Sequence, residues 1–161
     1  MTVTDVRRDT RTLTLTFTAE LQASVERVWN LWEDPRQLER WWGPPEYPAT
    51  FVRHELSPGG RASYFMTGPE GDQPRGWWRI LEVDAPHRLT FESGIADDAG
   101  NPDPAVPAMI VRATLTELSS ALTRMEVETT YPSVAAMEQF LAMGMEEGMT
   151  GALSQLDDLL R

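Results

Sequence analysis

Three side chains of this sequence could polarise a carbonyl or move a proton: His54, Tyr64 and Arg79. His54 alternates with Arg53 and Glu55 along an extended stretch, a placement open to a general base. Tyr64 lies in Ala62-Ser63-Tyr64-Phe65-Met66, where a ring buries readily and its hydroxyl becomes the polar group expected inside an apolar pocket. Arg79 follows Trp77-Trp78. The carboxylate pairs read differently. Glu126 and Glu128 alternate outward on a strand, Asp97-Asp98 lie in a loop, and Asp157-Asp158 fall on the wet side of a helix. Each pair is expected to be a solvated face rather than an acid/base set. Ser63, Ser119 and Ser120 have no neighbouring base, and Pro58-Gly59-Gly60 lacks the lysine of a phosphate loop. No catalytic set is assigned, and the reading leans away from an enzyme.

Composition closes several chemistries. The 161 residues contain no cysteine, which removes disulfides and thiol catalysis, and only two histidines, His54 and His87, too few for an ordinary zinc site. All 14 basic residues are arginine, so Schiff-base catalysis through lysine is unavailable. Neither a metal nor a cofactor is expected. The net charge of −11 argues against nucleic acid and anionic membrane surfaces as partners. The start, MTVTDVRRDTR, carries no apolar run, so no signal peptide or membrane span is expected and the anticipated location is the cytoplasm.

The elements that must position these groups follow from periodicity. Residues 1–11 are polar and read as a flexible segment; residues 12–161 read as a single domain. Thr12–Leu21 alternates apolar and polar residues, as a half-buried strand does. Ser24 and Asp34 are N-cap residues for two short helices, the second opening on Pro35 and stopped by Gly43-Pro44. Tyr47–Leu56, Arg61–Met66, Gly76–Val83, Leu89–Ser93, Ala108–Leu118 and Ala121–Thr130 read as sequential antiparallel strands, with Gly94–Pro107 a long acidic loop. Ser133 caps a helix through Phe140, and Gly144 is a place where that helix breaks or bends. Met145, Met149, Leu153, Leu156 and Leu160 then fall at i, i+4, i+8, i+11 and i+15. That stripe predicts a helix over Met143–Leu160, about 27 Å long at roughly 1.5 Å per residue.

The fold class expected is α+β: a seven-stranded curled antiparallel sheet around a long C-terminal helix, with two short helices after the first strand. Only that helix is long enough to cover the sheet's apolar face. A cavity between the two is the expected consequence. Period-two parity and the helix stripe nominate its lining as Tyr64, Met66, Trp78, Phe91, Met109, Val111, Met125, Met145, Met149 and Leu153, and the Trp41-Trp42-Gly43-Pro44 stretch adds Trp42 at its mouth. Trp41-Trp42 equally suit plugging the helix pair onto the sheet, and Met137, Met143, Met145 and Met149 equally suit ordinary core. Gly144, Gly148 and Gly151 share one side of the helix, where either close packing or ligand space would explain them.

Val28-Trp29-Asn30-Leu31-Trp32-Glu33-Asp34-Pro35, Leu38-Glu39-Arg40-Trp41-Trp42-Gly43-Pro44, Pro58-Gly59-Gly60, Leu81 to Leu89 and Met143-Gly144-Met145-Glu146-Glu147-Gly148 occur in this order. Together they resemble the bacterial family related to the C-terminal domain of the activator of the ninety-kilodalton heat-shock protein's ATPase. That family sits within the START-like (SRPBCC) superfamily. The resemblance spans about residues 12–160 and implies a helix-grip fold with a hydrophobic cavity, but no particular reaction. The function expected is binding or carriage of a small apolar molecule, whether lipid, terpene or aromatic. The alternatives are a cyclase- or hydrolase-like enzyme using the same cavity, or a co-chaperone-like interaction module. A homodimer is also an expectation.

Overall fold

The computed structural model describes residues 3–161, and in it the alternating stretches become eight strands. The chain runs β1 (Val3–Asp9), β2 (Thr14–Leu21), α1 (Val25–Glu33), α2 (Pro35–Leu38), β3 (Ala49–His54), β4 (Arg61–Met66), β5 (Arg75–Asp84) and β6 (Arg88–Ala96). It continues as β7 (Met109–Ser119), β8 (Leu122–Thr130), α3 (Val134–Ala142), α4 (Met145–Leu153) and α5 (Leu156–Leu159). The strands form one open antiparallel sheet in the order β1-β2-β8-β7-β6-β5-β4-β3. Hairpins join β3 through β8 in sequence, and β2 returns the start of the chain to the last strand. The architecture is α+β, as expected, with eight strands in place of seven.

The additional strand is β1, and it overturns the reading of residues 3–9 as flexible; residues 1 and 2 lie outside the described residues. Thr4 to Arg8 are all exposed, so the sequence carries no apolar face to signal a strand. The strand is held instead by main-chain pairing from Val3↔Ala19 to Asp9↔Thr14. An edge strand needs only one pairing neighbour and gains from surface charge. The two short helices therefore follow the second strand.

Alternation is clearest on β2, β7 and β8. Leu15, Phe17, Ala19 and Leu21 are buried on β2, Val111, Ala113 and Leu115 on β7, and Met125 and Val127 on β8. Ser24 and Asp34 cap α1 and α2 by accepting from the backbone N–H groups of Arg27 (3.2 Å) and Arg36 (2.9 Å). Neither helix is long enough to persist alone; tryptophans dock them. Trp32 is fully buried and meets Trp41 edge-on at 4.8 Å between ring centroids and Trp42 at 5.8 Å. Trp42 then packs edge-on to Trp78 at 4.9 Å, and Trp78 stacks on Phe91 at 4.0 Å. Each such pair adds roughly 0.5–1.5 kcal/mol beyond the area it buries. The other sheet edge, β3, is covered by α2: Phe51 N–H donates to Glu39 Oε2 (2.7 Å) and Phe51 C=O accepts from Arg36 (3.1 Å).

The expected single helix over Met143–Leu160 is two segments. Gly144, just past the C-cap residue Met143, takes φ +86°, a left-handed conformation that ends α3. After Leu153 the backbone stays right-handed through Ser154 and Gln155, but Ser154 Oγ bonds to Gly151 C=O and Gln155 N–H reaches only to Ala152 C=O. That i→i+3 closure tightens the turn between α4 and α5.

His54 has a structural task. Its Nε2 lies 3.0 Å from Trp32 C=O and 3.1 Å from Glu33 C=O, carbonyls left over at the end of α1. Nε2 therefore carries the proton, while Nδ1 is buried without a partner. Burial pushes the imidazole below its ordinary range, against the two carbonyls and the carboxylates of Asp34 and Glu33, which favour the cation.

Two outcomes follow. As the pH drops from about 7 to about 5, the unfolded chain takes up a proton that native His54 resists, so urea stability declines. His54→Gln should flatten that part of the curve, and an unchanged slope would show that His54 is not its source. Gly144→Ala forces a Cβ into the left-handed region and should lower the unfolding free energy by about 1 kcal/mol or more in urea titration.

Candidate ligand cavity

A cavity of about 240 Å³ lies where α4 stands away from the sheet. Tyr64 and Met66 of β4, Ser93 of β6, Met109 and Val111 of β7, and Thr129 of β8 form its floor. Trp42 and Pro44, in the segment after α2, make one wall; Phe140, Met145, Gly148 and Met149 close it from the helical side.

The gap exists because α4 is supported at its ends and not in its middle. At the start, Tyr131 O–H donates to Met145 Sδ (2.9 Å), and Arg8 on β1 pairs with Glu146 at 2.8 Å. Burial pushes the Tyr131 phenol up to about 12, so it remains a donor at any ordinary pH. At the far end Leu153 and Leu156 are fully buried, Gln155 Nε2 donates to Gly43 C=O (2.7 Å), and Arg27 donates to Leu159 C=O (3.0 Å). Between these anchors a Cβ on Gly148 would meet nothing within 4 Å, whereas one on Gly151 would touch Pro44 at 3.4 Å. The three glycines thus have separate reasons: chain reversal at Gly144, open space at Gly148 and close packing at Gly151.

Of the nominated residues, Trp42, Tyr64, Met66, Met109, Val111, Met145 and Met149 lie in the cavity lining. Trp78, Phe91, Met125 and Leu153 do not. Trp42 lies against Trp78 and Phe91 and takes their place at the surface of the cavity. Met125 sits under Trp32, whose Nε1 donates to its sulfur (3.4 Å). Leu153 is beyond the gap, where the chain has returned to the core. Met137 is core and Met143 is exposed. Sequence reasoning missed Pro44, Ser93, Thr129 and Phe140, and for Gly148 it left ligand space and close packing open. The parity that places Phe91 and Val127 inward also places Ser93 and Thr129 inward, but their polar type concealed it.

Tyr64 is the one ionisable group in the lining, and burial pushes its phenol up, so the cavity wall is uncharged near neutral pH. His54 is occupied at the end of α1. Arg79 faces the opposite side of the sheet, pairs with Glu92 at 3.3 Å, and borders a polar groove of about 570 Å³ with Arg53, Arg61, Trp77 and Ala99–Pro102. His54, Tyr64 and Arg79 therefore do not converge on one reacting centre. The loop after β6 is shorter than expected, since Gly94 to Ala96 belong to the strand, and its residues 99–102 border that outer groove.

Among the described residues, no helix is long and apolar enough to cross a membrane. The crystal structure of a Mycobacterium smegmatis protein is 49% identical and superposes with a TM-score of 0.91, the match covering 99% of this chain and 97% of that one. The solution structure of an Arthrobacter aurescens protein is 46% identical, with a TM-score of 0.95 over 99% of this chain and 92% of that one. A Nitrosomonas europaea protein at 29% identity has a TM-score of 0.79 over 92% and 94% of the two chains. No curated protein matches. The model of the family described as "Activator of Hsp90 ATPase homolog 1-like protein" matches residues 22–161. With the motifs around Trp32, Trp42 and Gly144 in place, the chain belongs to that family.

Proposed function

We propose that this protein binds or carries a small hydrophobic molecule between its sheet and C-terminal helix, in a helix-grip arrangement, with no assigned reaction. The observation that carries the reading is the uncharged cavity of about 240 Å³ beneath α4, walled by Met66, Met109, Met145 and Met149. Methionine adapts its shape to an apolar guest at little cost. Drug-sized ligands occupy pockets of roughly 300–1,000 Å³, so this volume favours a molecule of one or two rings, or a small terpene, over a long-chain lipid. The enzyme alternative uses His54, Tyr64 or Arg79 to polarise a carbonyl, and His54 and Arg79 serve elsewhere.

Native mass spectrometry and thermal shift against a panel of small terpenes, two-ring aromatics and fatty acids test this reading. The first two classes should form a one-to-one complex and raise Tm; fatty acids should not. Gly148→Leu places a side chain in the open space at the cavity wall. It should abolish the complex while raising Tm by roughly 2–4 °C, because leucine is favoured over glycine in a helix by about 0.8 kcal/mol. Retained binding in that variant places the ligand outside the cavity.

A further inference from the structure

Among the described residues, four polar ones are buried: Thr90, Ser93, Thr123 and Thr129. Two have evident partners. Thr123 Oγ1 donates to Ala23 C=O (2.9 Å), and Thr90 Oγ1 donates to Glu82 (3.3 Å). Thr129 is different. It is 1% exposed, its Oγ1 has no hydrogen-bond partner, and it lies in the cavity floor. Its cross-strand neighbours are Leu15 on β2 and Val111 on β7, neither able to bond to it. Ser93, 5% exposed, lies on the other side of the floor, flanked by Trp78 on β5 and Met109 on β7. A valine at position 129 would match the shape and remove an unsatisfied hydroxyl, which is the choice an apolar core favours. The same β8 face uses Val127 one step away.

We propose that Ser93 and Thr129 select the guest: a small uncharged ring compound bearing one hydrogen-bonding oxygen, such as a phenol, cyclic alcohol or ketone. This rests on the cavity reading above. The oxygen is held at the sheet floor by either hydroxyl, each of which both donates and accepts. The ring lies toward Met145 and Met149. A carboxylate or phosphate is rejected, because the lining offers no cation to pair with it and its desolvation goes uncompensated. A pure hydrocarbon fits but leaves the Thr129 hydroxyl unpaired.

Calorimetric titration of 2-naphthol against 2-methylnaphthalene, which differ by a hydroxyl in place of a methyl, tests this in the wild type, Thr129→Val and Ser93→Ala. The wild type should prefer the naphthol by about fivefold or more, the scale of one hydrogen bond. At least one variant should reduce that preference to about twofold or less while binding the hydrocarbon no more weakly. Thr129→Val should also melt no lower than the wild type without ligand, since it removes an unpaired buried group. Equal wild-type affinities, or a preference that survives both substitutions, overturn the selection while leaving the cavity reading intact. Failure of both compounds to bind overturns the two together.

Discussion

The docking of Trp32 and Trp42 against the sheet is the constraint on which the remainder of the structure depends. α1, which carries Trp32, and α2, which precedes Trp42, are too short to persist in water alone. Their position is set by edge-on and stacked aromatic contacts running from Trp41 through Trp32 and Trp42 to Trp78 and Phe91. Trp41 Nε1 donates to Leu31 C=O (2.9 Å), so even the indole polar atom ties the segment after α2 to α1. Truncating a fully buried tryptophan of this kind costs roughly 3–5 kcal/mol, a large share of the stability of any single domain. Because the cluster fills the sheet's inner face beside β4–β6, the C-terminal helices cannot lie flat there. They rest on it at Pro44 and Gly43 and bridge the space that remains.

That bridging makes the cavity a by-product of two good anchors with a gap between them. Leu153 and Leu156 fix one end by burial, and the Tyr131–Met145 and Arg8–Glu146 contacts fix the other. Arg8 belongs to the polar edge strand β1, which gives that strand a second task beyond extending the sheet. Gly144 is what permits the approach: α3 ends in a left-handed residue, and α4 sets off from the turn it creates.

Charge is arranged around this interior and kept out of it. The acidic excess of the chain is spent on surfaces, while arginines pair locally, as in Arg79 with Glu92 and Arg36 with Glu39. In the cavity lining the side-chain polar groups are the hydroxyls of Tyr64, Ser93 and Thr129 and the indole N–H of Trp42. His54 marks the boundary, kept neutral by burial while closing the carbonyl end of α1.

The amino-acid sequence alone determined which apolar residues face inward on β2, β7 and β8, because alternation is a local property and burial of one sheet face enforces it. It determined the caps at Ser24, Asp34 and Ser133 and the break at Gly144 for the same reason: each acts within a few residues. It placed Tyr64, Met66, Met109, Val111, Met145 and Met149 on a common surface. It did not reveal β1, whose pairing is main-chain and leaves no pattern in its side chains. Nor could it separate core from cavity among inward residues: Phe91 and Met125 share the parity of Val111 yet are roofed by Trp42 and Trp32. Parity states which face a side chain takes, whereas only the packed positions of α1, α2 and α4 decide whether that face meets protein or open space.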